Sequence, residues 1–457
     1  MRMLLRPLQG LMVLTVVILL QGCGGGKPDG YYTATTADGI TIKMLRYRPD
    51  TTVPFHHTQP ILLFPGLLEN MNQYLAHTPS NETRNYSTLQ IPANAPAWVA
   101  NDKWIQADHM KYYSLAQWLY HAGYDVWLAN YRGVGRGDFA SQKGKLNTNL
   151  DVWMTMDTPA AIQKVIQVTG KKPVIGGHST GGLVSYMYLQ GVTMDASIVK
   201  AGKYLPHMTS SATLAAQRNA QVAGFLGLDP AGMPPLALEK ALDNPLIWNI
   251  LDLHWYVDFD YAVGQVVMPL LPPALTDGVV SLIFQTISNL ANAFPEGTMN
   301  GFAQVFGALN FWDTSSMNKY TEDYVGREVL SSLYMGCIAE YADWGINFTF
   351  REDFRNGQEN TSKIVPPDPN PGNDGYYYFD TNMSRMTVPA LSFFSQNSAL
   401  VDTQTMVNTI YHGKTYNPLD EWYEVPESGH IDLPLGESAP SFIFPTIIDW
   451  LAKLKNS

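Results

Sequence analysis

The chain has 457 residues, of which 46% are hydrophobic and only 15% charged, so it can bury a large core. Its formal net charge of −11 at pH 7 argues against a nucleic-acid-binding protein, which would need a basic surface. Cys23 and Cys337 are the two cysteines, too few for a multi-cysteine metal site, and we expect Cys337 to be a small buried apolar side chain.

The N-terminal segment predicts export of the protein. Residues 1–22 begin with a basic stretch, and the apolar run that follows is shorter than the roughly 20 residues needed to cross a bilayer. The letters LQGC at 20–23 resemble the lipobox of bacterial lipoproteins, which implies cleavage before Cys23 and its acylation. Several acyl chains anchor a protein stably, and Gly24 favours the outer membrane by the same resemblance. An ordinary signal peptide followed by a free cysteine is the alternative.

Strands and helices alternate from about residue 60 to 190. A half-exposed strand is expected within 38–49, before them, and a long loop over 71–112. Apolar runs typical of buried strands lie at 61–64, 124–130 and 172–175. Helices are predicted over 114–123, 156–172 and 181–190, the second with Thr158 as N-cap and Gly170 as its end. This alternation implies a parallel sheet with helices on both faces.

The same alternation returns near the C-terminus. Strands with following loops are predicted in 388–402 and 420–430, and helices over 403–412 and 441–455. The region before them is too apolar for a solvated linker, and Ile283, Ile287, Leu290 and Phe294 fall at helical spacing within it. We expect a mainly helical cap over the edge of the sheet. The predicted division is a signal peptide at 1–22, a lipidated linker at 23–30, core at 31–191, cap at 192–375 and core at 376–457.

The stretch VIGGHSTGG at 174–182 contains the strongest motif. Gly177, Ser179 and Gly181 match the pattern G-x-S-x-G of a nucleophile elbow, in which a strand turns sharply into a helix and exposes the serine. The glycines relieve the clash where helix and strand approach each other. A Gly-rich turn without function is the alternative, but the preceding apolar strand and following helix favour the elbow.

A serine hydroxyl needs a base, and His430 is the candidate. It lies in a Gly-His loop directly after a late strand, in the order serine, acid, histidine expected of such a site. His178 adjoins the serine, but its side chain is expected to point elsewhere and to serve packing.

The acid that would orient the histidine is less clear. Asp402 follows the strand predicted in 388–402 and could hold the imidazole, although it could equally cap the next helix. An acid from the cap or from a neighbouring strand end, or no acid at all, are the alternatives. For the oxyanion hole, the N–H groups of Thr180 and of Leu67, in the loop after the first buried strand, are the candidate donors.

These stretches together resemble an α/β-hydrolase and, more narrowly, the acid lipase branch of gastric and lysosomal type. The resemblance is carried by LLFPGLLEN at 62–70, by 115–137, by GGHSTGG at 176–182 and by YEVPESGHIDLPLG at 423–436. Pro65 replaces the family's histidine and Ser398 its usual acid, which leaves the third member of the triad open. The resemblance implies ester hydrolysis on apolar substrates without a metal or organic cofactor.

The leading hypothesis is therefore a lipase or esterase that cleaves apolar acyl esters through Ser179, His430 and Asp402. The apolar cap favours a long acyl chain, although an apolar stripe can equally be core. A peptidase or a polyester depolymerase on the same fold stays open, because fold does not determine function. A catalytically inactive fold, kept as a lipid-binding or assembly lipoprotein, is an alternative of another class, and the missing acid at Ser398 supports it. The oligomeric state does not follow from the sequence.

Overall fold

One large sheet organises the part of the chain that the structure describes. The computed structural model describes residues 30–49, 59–79, 86–232, 256–258, 316–358, 370, 373–398 and 400–455. The strands of this sheet are β1 Gly30–Thr35, β2 Thr41–Tyr47, β3 Pro60–Phe64, β4 Asp125–Ala129, β5 Val174–His178, β6 Gly224–Leu228, β7 Ala390–Ser395 and β8 Glu421–Val425. Their order is β1-β2-β4-β3-β5-β6-β7-β8. β2 pairs antiparallel with β1 and β4, and every other neighbouring pair is parallel.

Helices connect these strands. They are α1 Lys103–Ala107, α2 Leu115–His121, α3 Leu150–Val152, α4 Thr158–Thr169, α5 Thr180–Tyr188, α6 Ala196–Ala201, α7 Ala212–Gln221, α8 Lys319–Tyr324, α9 Met335–Asn347, α10 Thr403–Val407, α11 Asp432–Leu435 and α12 Phe444–Lys455. Wider π-type turns, at Trp153–Asp157, Val325–Val329, Asn408–His412 and Ala439–Ile443, continue or precede several of them. Short antiparallel ladders join Val192–Thr193 to Thr209–Ser210 and Tyr256–Val257 to Leu333–Tyr334.

The central strands are buried on both faces. Along β3, Leu62 and Phe64 belong to one hydrophobic cluster, whereas Ile61 and Leu63 belong to another on the opposite side of the sheet. This follows from the alternation of side chains along a strand, and it explains why these strands are continuous apolar runs. Covering both faces of a parallel sheet with helices is the architecture that the sequence predicts, and the structure confirms it.

Most predicted elements are present with bounds shifted by a few residues. The described residues of 71–112, which are 71–79 and 86–112, are irregular, as expected, apart from α1 and short 3₁₀ turns. Gly170 ends α4 in the left-handed conformation at φ 67°, as predicted. Thr158 is not an N-cap, however, because helical backbone already runs through Trp153–Asp157 and Thr158 continues it.

The predicted start of the cap at residue 192 is wrong. Strand β6 lies inside the sheet between β5 and β7, and α7 precedes it, so the alternation of the core continues to Leu228. Most of the predicted helical cap, including Ile283, Ile287, Leu290 and Phe294, lies outside the described residues. The longest described part beyond β6, 316–358, contains α8 and α9. Cys337 on α9 is fully buried, as predicted.

The described helices include none that is both long and apolar enough to cross a bilayer. The predicted signal peptide and Cys23 lie outside the described residues.

Candidate active site

Ser179 stands at the bend between β5 and α5. Its backbone has φ 51° and ψ −121°, a combination that side chains other than glycine rarely adopt. Such a conformation costs on the order of 1–3 kcal/mol and persists only where the surrounding structure enforces it. The strain is what the nucleophile-elbow motif predicts for its central serine.

Close packing against the neighbouring strand explains the glycines on either side of the serine. A Cβ atom added at Gly177 or at Gly181 would overlap the carbonyl oxygen of Phe64, at the end of β3. Any larger residue would push α5 away from the sheet. The reason that the sequence suggests for these two glycines is therefore confirmed.

The other two glycines of the stretch serve close contacts of their own. A side chain at Gly176 would overlap backbone atoms of Leu226 on β6. One at Gly182 would come within 2.7 Å of the side chain of Pro230. All four glycines thus allow β5 and α5 to lie against β3 and the end of β6.

The elbow is hydrogen-bonded to the turn that follows β6. The N–H of Ser179 donates to the carbonyl of Leu228 at 2.9 Å, and the N–H of Ala231 donates to the carbonyl of Ser179 at 3.0 Å. Asp229 lies between these two partners. The backbone therefore holds the serine and this carboxylate beside each other.

Asp229 binds the predicted catalytic histidine. Its Oδ2 lies 2.6 Å from Nδ1 of His430, and both side chains are buried. A carboxylate on Nδ1 fixes the tautomer and the orientation of the ring and leaves Nε2 to accept a proton. Asp229 is the acid that sequence reasoning missed, because it falls in the region assigned to the cap.

The end of β7 holds Asp229 in turn. Oδ1 accepts the N–H of Ser395 at 3.0 Å, and Oδ2 accepts the Ser395 hydroxyl at 2.6 Å. The backbone of Asp229 has a φ of 46°, and its N–H donates to Phe393 at 2.7 Å. Three neighbouring strand ends thus contribute to one acid–histidine pair.

Asp402, the predicted orienting acid, does not contact His430. It is the N-cap of α10, and its Oδ1 accepts the N–H of Thr405 at 2.7 Å on the protein surface. The structure favours the alternative to each prediction. Asp402 caps a helix, and the acid that contacts His430 lies at the end of a neighbouring strand. The prediction of Asp402 is corrected to Asp229 for this reason.

Burial and charge keep His430 in its basic form. Burial lowers the pKa of its imidazole, the charge of His178 lowers it further, and the hydrogen bond to Asp229 opposes both. The net direction is downward from the ordinary histidine value. A ring that is unprotonated at neutral pH can act as a general base.

The two predicted oxyanion-hole donors lie on adjoining segments. Thr180 is the first residue of α5, so the helix offers its N–H no carbonyl four residues earlier. Leu67 is half-buried in the turn after β3. In this turn the N–H of Glu69 donates to the carbonyl of Gly66 at 3.3 Å. The contact of Gly181 with Phe64 brings the two segments together.

The side chain of His178 points away from the serine, as predicted, but it does more than pack. Its Nδ1 lies 2.7 Å from Oε2 of Glu69, and its Nε2 lies 2.9 Å from the backbone carbonyl of His430. Oε2 of Glu69 also accepts the N–H of Gly66 at 2.9 Å. The backbone N–H of His178 donates to the Tyr74 hydroxyl at 2.7 Å. His178 thus joins two segments. One is the turn at 66–69, which contains Leu67 and is called the oxyanion turn below, and the other is the loop at 426–431, called the His430 loop.

The described part of the cap contacts Thr180 and the residues that follow Leu67. The Tyr341 hydroxyl on α9 lies 2.8 Å from Oγ1 of Thr180. The N–H of Ser331 donates to the carbonyl of Leu68 at 2.7 Å, and Asn70 donates its N–H to Val329 at 3.0 Å. The cap therefore packs directly on the site.

Comparison with known proteins agrees with this architecture. Residues 59–201, which run from β3 through the elbow and α5, match the family model described as the alpha/beta hydrolase fold. The protein has the α/β-hydrolase fold. The topology of the sheet and the position of the elbow after β5 agree with that assignment.

Named proteins to which the chain is similar include a lipase and, among solved structures, an esterase and a second lipase. Lipase lipl-3 of Caenorhabditis elegans is 26% identical over 173 residues, which cover 36% of this chain and 35% of the relative, so the chain matches about a third of that protein's length. A thermophilic esterase from Thermogutta terrifontis is 13% identical, with a TM-score of 0.44 over 93% of this chain and 99% of that one. Monoglyceride lipase from Saccharomyces cerevisiae is 13% identical, with a TM-score of 0.44 over 94% and 95%.

Proposed function

We propose that this α/β-hydrolase is a serine hydrolase that cleaves carboxylic esters, with Ser179 as nucleophile, His430 as base and Asp229 as orienting acid. The observation that carries the proposal is the contact of 2.6 Å between Asp229 and His430, made next to a strained serine whose backbone is bonded to the same turn. A buried acid–histidine pair near a serine at a strained bend is the kind of arrangement that nucleophilic catalysis uses.

The proposed reaction has two half-reactions. In the first, Oγ of Ser179 attacks the acyl carbon while its proton passes to Nε2 of His430. The bond to the alcohol oxygen then breaks, His430 gives the proton to the leaving alcohol, and the acyl group stays on Ser179. In the second, water attacks the acyl carbon as His430 accepts its proton, and the acid is released as Ser179 regains a proton.

The N–H groups of Thr180 and Leu67 are proposed to stabilise the negative oxygen of each tetrahedral intermediate. Loss of one such donor typically costs about 2.7–4 kcal/mol of transition-state stabilisation. Because Tyr341 and Ser331 of the cap bond to Thr180 and to the carbonyl of Leu68, we expect the cap to keep this part of the site in place.

The proposed substrates are esters with an apolar acyl group. The support is the apolar composition of the cap region in the sequence and the similarity to a protein named as a lipase. Hydrolysis of p-nitrophenyl esters of graded chain length by the full-length protein in detergent tests this directly. Preference for octanoate or longer chains over acetate is the expected result, and equal rates would remove the apolar pocket from the proposal. Peptide and polyester substrates belong in the same panel.

Two measurements test the nucleophile. A fluorophosphonate probe should label the wild-type protein on the peptide that contains Ser179, and Ser179→Ala should lose both the label and ester hydrolysis. Ser185→Ala is the matched control, because Ser185 lies on the same helix and donates to Gly181 at 2.7 Å without being part of the proposed chemistry. Activity that survives Ser179→Ala would reject the proposed mechanism.

The missing acid at Ser398 is the sequence feature that supports a catalytically inactive lipid-binding or assembly lipoprotein. Asp229 supplies a carboxylate to His430 from another strand, so that reason no longer favours inactivity. Absence of both labelling and hydrolysis in a folded protein would restore this alternative.

We further propose that the protein is exported and anchored to a bacterial membrane by acylated Cys23. Gly24, the residue that follows, favours the outer membrane. The support is the sequence at 20–24 alone. Incorporation of a palmitate analogue in a bacterial host, lost in Cys23→Ser, tests the anchor, and density fractionation of the membranes tests its location. A soluble, unlabelled wild-type protein would contradict both.

A further inference from the structure

His178 is buried with a hydrogen-bond acceptor at each ring nitrogen. Nδ1 lies 2.7 Å from the Glu69 carboxylate, and Nε2 lies 2.9 Å from the backbone carbonyl of His430. A backbone carbonyl cannot donate, so Nε2 must carry hydrogen. Oε2 of Glu69, which already accepts the N–H of Gly66, accepts from Nδ1 as well when the carboxylate is ionised. The geometry therefore indicates an imidazolium that is paired with a carboxylate.

The pair is almost completely enclosed. The side chain of His178 is 0% exposed and that of Glu69 is 4% exposed. A buried charge of this kind is tolerated only with a partner and further hydrogen bonds. The Glu69 carboxylate also accepts the N–H of Gly66, and a Cβ atom at Gly66 would overlap it. Glycine at 66 is thus part of the same arrangement.

The ionised groups around the two histidine rings are few. The rings of His178 and His430 lie 4.5 Å apart between centroids. Glu69 and Asp229 are the acids that act on both of them. Burial lowers the pKa of His178, but the charge and hydrogen bond of Glu69 outweigh it and raise the pKa overall. Tyr74, whose hydroxyl accepts the N–H of His178, stays neutral because burial raises its pKa well above the usual range. Asp432, two residues after His430, is a further buried acid near the pair and accepts the N–H of Gly429 at 2.6 Å.

We propose that His178, charged and paired with Glu69, is a positioning residue of the hydrolase, which fixes the His430 loop to the oxyanion turn and keeps the ring of His430 unprotonated. The inference rests on the proposed function, since it assigns a role in the chemistry of Ser179 and His430. It replaces the packing role that the sequence suggests for His178.

The pH dependence of kcat/KM tests the electrostatic half of this role. In His178→Gln the cation is lost and Glu69 remains, so the acid limb should move upward by about one pH unit. In Glu69→Gln/His178→Gln both charges are lost, so the shift should be in the same direction but smaller. An unchanged limb in both variants, with unchanged melting temperatures, overturns the inference.

His207→Gln is the matched control. His207 also pairs with a buried glutamate, its Nδ1 lying 3.0 Å from Oε1 of Glu352, but it is 42% exposed and contacts neither the elbow nor the His430 loop. Its loss should leave the pH profile unchanged. A shift in the control equal to that of His178→Gln would show that any histidine–glutamate pair has this effect, and would overturn the specific role.

Nitrogen chemical shifts of the His178 ring test the protonation without any activity measurement. At pH 7–8 both ring nitrogens of the full-length protein, assigned through bonds to the backbone of His178, should have imidazolium values. A neutral tautomer would overturn the inference even if the variants fail to fold. If the wild-type protein hydrolyses no ester and takes no fluorophosphonate label, the proposed function fails instead, and the nitrogen shifts still report the state of His178.

Discussion

Asp229 and His430 are 201 residues apart in the chain, yet Oδ2 of one lies 2.6 Å from Nδ1 of the other. The contact exists because β6 lies next to the strand of the elbow and one strand away from β8, so the loops at their ends meet. Ligand and catalytic groups of open parallel sheets generally gather at such carboxyl ends. The position of the acid is therefore a property of the sheet order rather than of any local motif.

Asp229→Asn should lower kcat by about 10⁴-fold, the scale seen when a serine–histidine pair loses the acid that orients it. The amide cannot hold the required tautomer, but its oxygen can still accept the N–H of Ser395 and its NH2 can donate to the Ser395 hydroxyl, so the fold should survive. Asp402→Asn is the matched control and should keep its activity, since asparagine caps helices about as well as aspartate. The prediction fails if Asp402→Asn, rather than Asp229→Asn, abolishes ester hydrolysis.

Ser395→Ala should lower kcat by about tenfold and leave KM nearly unchanged. The substitution removes the hydroxyl that donates to Oδ2 of Asp229 at 2.6 Å, while the backbone donor at Oδ1 stays. A hydrogen bond to a charged group contributes about 1.5–3 kcal/mol, and only part of that would be lost from the transition state. Ser398→Ala, whose hydroxyl serves only the local turn at Leu400, should match wild type. Stopped-flow or steady-state rates on one ester compare the two.

The rate should stay constant well into mildly acidic pH. Burial lowers the pKa of His430, with a further contribution from the charge of His178, and the base form is the active one. The free enzyme should therefore lose kcat/KM only when the pH falls below the ordinary histidine value of about 6.5. A pH series on an ester whose own hydrolysis is slow at these pH values measures the midpoint. A midpoint above 7 would contradict the assignment of His430 as a buried base.

Ser179 and the fold around it could be predicted from the sequence because their signals are local. The elbow is a contiguous strand, turn and helix, and its glycines are required by contacts within that unit and with β3. His430 follows its strand within a few residues and precedes α11. The oxyanion candidates lie directly after β3 and after the serine itself, at positions that the motif names.

Asp229 could not be predicted in the same way. Its strand, GFLGL at 224–228, is only five residues long and contains two glycines, which weakens the strand signal. Some local signals for this strand do exist. Ser211 caps the preceding helix α7, and Asp229 and Pro230 end the apolar stretch of β6, so the alternation of helix and strand is visible in the sequence. Asp402, at the expected place after β7, has a strong local use as a helix cap. The order in which the strands pair in the sheet decides whether Asp229 or Asp402 lies next to His430.

Two buried acids, Glu340 and Asp151, form hydrogen bonds between the cap and the core. They should make the free energy of unfolding depend on pH. Glu340 on α9 accepts the N–H of Leu150 at 3.0 Å, and Asp151 accepts the N–H of Asp353 at 2.8 Å. Burial raises the pKa of Glu340 well above its usual range, and the charges of Asp151 and Asp353 raise it further. The folded protein thus keeps a proton that the unfolded chain releases above about pH 4.5, so stability falls as pH rises.

Glu340→Gln should remove this penalty. The amide can still accept from Leu150 and can donate to the buried Oδ1 of Asp151. The melting temperature of the variant relative to wild type should therefore rise between pH 5 and pH 8, by at least about 3 °C if one proton is involved. Glu424→Gln, on the exposed face of β8, should show no such trend. A variant that is destabilised equally at both pH values would show that Glu340 is ionised in the folded protein and acts only as an acceptor.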